Sequence, residues 1–163
     1  METMDNKIHF DYQFVSDKGI ISNKDRSDVP AILAVDATFS IKMNHTLYFE
    51  AELPILEFWM SLYTWKERIT KDYIPEFHYY TIEHDEEEGA ILSVLPFSNK
   101  ARLESIWAEA DIDNVFDLHY IVKEFLTLES SLREDMEEYY NIKLKYFMRH
   151  IPFSRLHLKQ MNK

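Results

Sequence analysis

The chain contains no cysteine, and among its 163 residues there are only two glycines and five prolines. Without cysteine there is no disulfide, no thiolate nucleophile and no zinc site of the sulfur type, which fits a cytoplasmic setting. Gly19 and Gly89 stand alone, so neither a glycine-rich phosphate loop nor a nucleophile elbow of the GxSxG kind is present. The seven histidines, His9, His45, His78, His84, His119, His150 and His157, show no HExxH or HxxxH spacing. No apolar run approaches the roughly 18 to 20 residues that span a bilayer, and Met1 to Lys7 is polar and charged, so neither a transmembrane helix nor a signal peptide is read. Acids are missing too after Glu138, although the chain as a whole has 29 of them against 18 bases.

That last absence splits the chain electrostatically. The first 138 residues hold all 29 acids and 12 of the bases, a net of -17, and the remaining 6 bases lie in the last 25 residues. Such a body repels nucleic acid and membrane surfaces and attracts basic proteins across a Debye length of roughly 8 to 10 Å. With 46% hydrophobic and 15% aromatic residues it is too apolar for a disordered acidic tail. The expectation is one folded domain over 1–163, with a basic amphipathic tail over 143–163.

Period-two alternation marks a first strand at 8–15, where Ile8, Phe10, Tyr12 and Phe14 share one face. A loop with a short strand at Gly19 to Ser22 follows. Leu33, Val35, Ala37, Phe39, Ile41 and Met43, then Leu47, Phe49, Ala51 and Leu53, keep strict spacing of two on either side of Asn44-His45. This predicts a hairpin of strands 32–43 and 46–52 with its odd-numbered residues buried. Pro54 suits a first helical turn, and Ile55, Phe58, Trp59, Leu62, Trp65 and Ile69 recur at helical steps. A three-strand meander is expected over 77–84, 90–97 and 101–107, with turns at Glu86 to Gly89 and at Ser98-Asn99. From Asn114 to Ile151 neither glycine nor proline interrupts a helical stripe, capped by Asp113 or Asn114. One unbroken helix there would be about 55 Å long, so a break is expected near Tyr140-Asn141. The fold class is α+β: a mostly antiparallel β-sheet of about five to six strands, a helix after the first hairpin, and a long C-terminal helical segment packed on one face.

Three acidic groups are candidate sites. Glu83, Asp85, Glu86, Glu87 and Glu88, with His84, read as a solvated hairpin turn that blocks edge pairing, as a contact for a basic partner, or as a chelate for a hard cation. Glu104, Glu109, Asp111, Asp113 and Asp117 flank the third meander strand, where a helix N-terminus favours negative charge. They gain a functional reading if folding brings them beside the Asp85 loop. Glu134, Asp135, Glu137 and Glu138 read as the solvated side of a helix. Phe58, Trp59 and Trp65 pack towards the sheet, whereas Tyr63 and one of Tyr79 and Tyr80 face outward; Tyr80 beside carboxylates reads as an interface anchor. The tail, with Lys143, Lys145, Arg149, Arg155 and Lys159 among Leu144, Phe147, Met148, Ile151 and Leu156, reads as docking on its own acidic body, or as touching nucleic acid or membrane.

The hairpin VDATFSIKMNHTLYFEAELPILEF running into a helix with Trp65, then FHYYTIEHDEEEGAILSVLP, then RLESIWAEADI before a long helix, resembles a group of small bacterial proteins regarded as immunity proteins of polymorphic or contact-dependent toxin systems. The resemblance covers residues 35–70 and 77–130, and the tail from Lys143 lies outside it. It implies an acidic, cytoplasmic, non-enzymatic inhibitor that occludes a toxin's active site. The expected partner is a basic protein, such as a nuclease toxin domain, with no direct nucleic acid, no membrane, no cofactor and no metal. The contact residues expected are Glu83, Asp85, Glu86, Glu87, Glu88, Glu109, Asp111, Asp113 and Tyr80. The alternatives are an inhibitor of phage or mobile-element type that mimics nucleic acid, and a carboxylate-dependent hydrolase.

Overall fold

The inward faces of the strands are apolar at every second position, and that pattern assembles the structure. The computed structural model describes residues 6–81 and 88–152. Strand β1 (Ile8–Phe14) is followed by single 3-10 turns at Lys18–Ile20 and Asn23–Asp25 and the short helix α1 (Val29–Leu33). Then come β2 (Asp36–Met43), β3 (Thr46–Pro54), α2 (Ile55–Arg68), β4 (Phe77–Tyr79), β5 (Leu92–Phe97), β6 (Lys100–Glu104), β7 (Val115–Asp117) and α3 (Leu118–Tyr140). A last 3-10 turn covers Leu144–Tyr146.

The α+β class holds, yet the strands form two antiparallel sheets rather than one. Among the described residues, β1-β2-β3 make the first and β4-β5-β6-β7 the second. The sheets divide because α2 starts at the very end of β3, where the Ile55 N–H bonds the Val35 carbonyl and turns the chain away from the sheet. In the first hairpin Asn44 and His45 both take positive φ, 50° and 73°, the two-residue turn whose twist matches the strands. Registers Phe10↔Ile41 and Phe39↔Ala51 place Phe10, Phe39, Ile41 and Phe49 inward, while His9, Asp11, Thr38, Ser40 and Glu50 face out.

Several local expectations change. Gly19 to Ser22 is no strand: Ser22 and Asp25 cap one another across a 3-10 turn. Asp28 caps α1, which was not expected, by accepting the Ala31 N–H at 3.2 Å. The first long helix begins after Pro54 rather than on it. Strand β6 stops at Glu104, because the Ser105 hydroxyl donates to the Ile91 carbonyl and accepts the Trp107 N–H. Residues 115–117 pair with β6 before the final helix starts, so its cap is Asp117, which accepts the Tyr120 N–H, and neither Asp113 nor Asn114. Asn141 ends α3 at φ 54°, at the expected break. The tail's first turns then dock by apolar contact, with Ile142, Leu144, Phe147 and Ile151 buried and Lys143, Lys145 and Arg149 exposed. Arg155, Leu156 and Lys159 lie outside the described residues.

One continuous core joins both sheets and the helices. Phe58 of α2 lies 4.9 Å from Phe39 and 5.0 Å from Tyr79, so a single ring bridges the two sheets. Phe125 of α3 reaches Phe10 at 4.9 Å and Phe77 at 6.0 Å. Between α2 and α3 sits Glu129, with no exposed surface. Its carboxylate accepts from the Trp59 indole at 3.0 Å, from the Lys66 ammonium at 2.9 Å and from the Arg133 guanidinium at 3.1 Å.

Removing that carboxylate frees two cations that already reach water, whereas removing the cations strands a buried charge. Glu129→Gln is therefore expected to cost about 1–3 kcal/mol in chemical denaturation. Lys66→Met with Arg133→Met is expected to cost more, about 3–5 kcal/mol, and the reverse order would contradict this account. A second expectation concerns alkali. Burial pushes the Tyr140 hydroxyl from 10.0 up to about 12, and burial with Asp135 beside it pushes Tyr12 in the same direction. The folded state then holds protons that the unfolded chain has released. Stability should be complete below pH 10 and decline as pH rises towards 12, read as denaturation midpoints across that range; constant midpoints would refute it.

Candidate functional site

The bulge in the first hairpin organises a polar corner of the molecule. Ile41 pairs with Phe49 but Lys42 with Leu47, leaving Tyr48 as the extra residue on β3. Tyr48 is thereby buried alongside Phe49, against the odd-only pattern. Its carbonyl accepts the Glu109 N–H at 2.6 Å, and its hydroxyl donates to the Leu103 carbonyl at 3.3 Å. Asn114 closes the same corner, donating its side-chain amide to Leu103 while its carbonyl accepts the Leu103 N–H. The loop 105–114 is thus tied to the outer edge of the first sheet.

Two shallow clefts share Tyr48 in their lining. One, of about 350 Å³, is lined by Gly89, Ala90, Ser93, Glu104, Ser105 and Ile106. The other, of about 300 Å³, is lined by Ala108, Glu109, Ala110, Asp111, Ile112 and Asn114. Burial pushes the Tyr48 hydroxyl up; the Asn114 hydrogen bond opposes this, and the nearby charges of Glu104 and Asp111 add to it. Ile106 is exposed and lines the first cleft together with Glu104.

The Asp85 loop lies outside the described residues up to Glu87, and the chain that follows it comes close to the second acidic set at Gly89. A Cβ on Gly89 would stand 3.1 Å from Ile106 Cγ2, so the chain leaving the loop packs directly on 105–106. Glu88, Glu109, Asp111 and Asp113 are exposed there. Glu83, His84, Asp85, Glu86 and Glu87 lie outside the described residues. Asp113 is partly engaged, accepting the Val115 N–H at 3.2 Å, and Asp117 serves as the α3 cap. Tyr80 does not face outward: it is buried like Tyr79, so it is no exposed anchor. The shortening of β4 to Phe77–Tyr79 removes the alternation that would have pointed one of the two out. At this corner Ile106 is the exposed apolar side chain, and Tyr48 is buried. The signal for Tyr48 was the unbroken trio Leu47-Tyr48-Phe49, which period two cannot accommodate without a bulge.

The largest cleft described, about 560 Å³, lies elsewhere, among Arg68, Tyr73, Ile74, Glu76, His78 and Pro96. There His78 bridges Ser93 at 2.8 Å and Glu76 at 2.9 Å. Serine, imidazole and carboxylate in line are parts of nucleophilic catalysis, but Ser93 is buried mid-strand, opposite His78 on one side and Glu104 on the other. That position supplies no pair of outward N–H donors for an oxyanion. Among the described residues no three His, Asp or Glu side chains converge as a metal site, and no helix is long and apolar enough to cross a membrane.

The span 10–138, from β1 into the last turn of α3, matches the domain of unknown function DUF7878. The chain belongs to the DUF7878 family. The DUF7878 match contains the Tyr48 bulge, both clefts and every acid discussed here, and it stops before the basic tail. No curated protein and no solved structure matches the chain.

Gly89 holds φ 106°, a conformation that residues with a Cβ rarely adopt, whereas the Ile106 contact involves a methyl group of an exposed side chain. Gly89→Ala should cost about 1–3 kcal/mol in thermal or chemical unfolding. Because backbone strain dominates, adding Ile106→Ala should recover little of it; full recovery would mean that the contact, and not φ, is decisive.

Proposed function

We propose that the chain is a non-enzymatic binding protein whose acidic end takes a basic protein partner. The observation that carries this reading is the Tyr48 bulge, whose two clefts bring Glu104 beside an exposed Ile106, and Glu109 beside Asp111, to one corner of the molecule. An apolar centre ringed by charge is the anatomy of a steered interface: the rim sets the association rate and the centre holds the complex. The finer reading is an immunity protein that neutralises a cognate toxin by covering its substrate groove. A nuclease domain suits it electrostatically, because a surface shaped for phosphates also accepts carboxylates. A mimic of nucleic acid would carry carboxylates in an extended row at phosphate spacing; here they surround one ring. The Ser93–His78–Glu76 line is what favours a hydrolase, and the missing oxyanion donors weigh against it.

The test is capture of partners from native cytoplasm at low and moderate salt, with the products of neighbouring genes co-expressed. A stoichiometric basic protein is expected. With that partner, Glu109→Lys, Asp111→Lys and Asp113→Lys together should slow association at low salt by about tenfold or more and leave dissociation nearly unchanged. Ile106→Ala should do the opposite. An empty capture by folded protein, or unaltered association of the triple variant, would overturn the proposal.

A further inference from the structure

Strand β1 forms an outer edge of the first sheet. In the β1–β2 ladder the odd residues bond β2: Asn44 donates to the Lys7 carbonyl and Val15 to the Asp36 carbonyl, at the two ends of a continuous register. Antiparallel pairing alternates, so the N–H and C=O groups of Ile8, Phe10, Tyr12 and Phe14 point away from the sheet. Those of Ile8 are closed by the Tyr120 hydroxyl, which accepts its N–H at 2.9 Å. Among the described residues nothing closes Phe10, Tyr12 or Phe14. Two other edges carry a contact: the Tyr48 carbonyl on β3 takes Glu109, and Asn6 caps Val115 on β7. β1 has no proline, glycine or bulge to deter pairing.

Beside this edge lies a cleft of about 470 Å³ lined by Tyr12, Phe14, Lys18, Asp135, Glu138 and Tyr139. The Phe14 and Tyr139 rings are 5.2 Å apart, and the Tyr12 hydroxyl donates to Asp135. The Lys18 ammonium lies 5.1 Å from the Tyr139 ring centre, so this ring face already receives a cation. Asp135 and Glu138 are exposed on its rim.

We infer that the β1 edge is a docking site for an extended segment of a basic protein, which adds a strand along Phe10–Phe14 and places a lysine or arginine in the Tyr12/Phe14/Tyr139 cleft. The backbone groups supply the register and the aromatic cleft with its two carboxylates selects the cation. A second copy of this chain is disfavoured, since pairing β1 with β1 would bring two sets of Asp135 and Glu138 together. The inference shares with the proposed function only the positive charge of the partner. It concerns other residues, and its test needs no natural partner, so either can fail alone.

The probe is a synthetic peptide of about six residues with lysine and valine alternating. The comparison peptide has the same charge with proline in place of valine. Amide hydrogen exchange by NMR is the first readout: Phe10, Tyr12 and Phe14 should exchange fast in the free protein and be protected by the first peptide only. Lys18→Ala should tighten binding by about two- to fivefold more than Lys24→Ala, which removes the same charge elsewhere. Glu138→Lys should weaken it by a comparable factor. Binding of both peptides alike, or protection elsewhere, overturns the inference. So does slow exchange at these three amides before peptide is added: in dilute monomer the edge is already taken within the chain, and at high concentration alone a second copy takes it.

Discussion

A carboxylate with no contact with water governs how the two long helices meet. Glu129 is fully desolvated, and an isolated charge in such a place costs several kcal/mol. The cost is offset because α2 presents Trp59 and Lys66, and α3 itself presents Arg133 one turn on, so that both oxygens are occupied. Sliding α3 by one turn along α2 would carry the carboxylate away from the indole, while the apolar stripe of Ile121, Phe125, Leu128 and Leu132 would still find apolar neighbours. The ion network therefore supplies a specificity that hydrophobic contact alone lacks. With α3 held in that register, Phe125 reaches both sheets and Asp135 reaches Tyr12.

The same logic accounts for where polar groups collect. A bulge and a strand edge are the two places where a regular sheet leaves backbone or side chain unmatched. At the first, Tyr48 turns inward and its carbonyl captures the 105–114 loop, drawing Glu104, Glu109 and Asp111 around one ring. At the second, β1 ends the first sheet with its neighbour α3 supplying aromatic rings and carboxylates. Acids that serve only the fold, such as Asp28 and Asp117, are distinguished by their caps.

Much of the fold was legible. Alternation over Ala37 to Leu53 was strong because one face is dry and the other polar, and Asn44-His45 carried turn chemistry of its own. The end of α3 at Asn141 followed from length and from asparagine's tolerance of positive φ. The second sheet was not separable from the first, since pairing partners depend on where α2 sends the chain. Of the candidate site, the exposed acids Glu88, Glu109, Asp111 and Asp113 could be chosen by charge. Tyr80 was misplaced because its outward direction assumed a strand longer than the three residues that pair. Glu129 was passed over because a lone glutamate in a helical stripe looks solvated until its partners on another helix are known.

What the sequence by itself determined is therefore local and periodic: an acidic, cysteine-free α+β chain, its first hairpin, the presence of its two long helices and the break at the end of the second. These follow from backbone stereochemistry and from the alternation of apolar and polar side chains within a dozen residues. Only the tertiary structure decided that Tyr48 gathers acids from a loop some sixty residues away, that Glu129 is buried and paired, and that β1 stands at the edge of the first sheet. Each depends on which surfaces meet after the chain has turned, and that is a property of the packed whole.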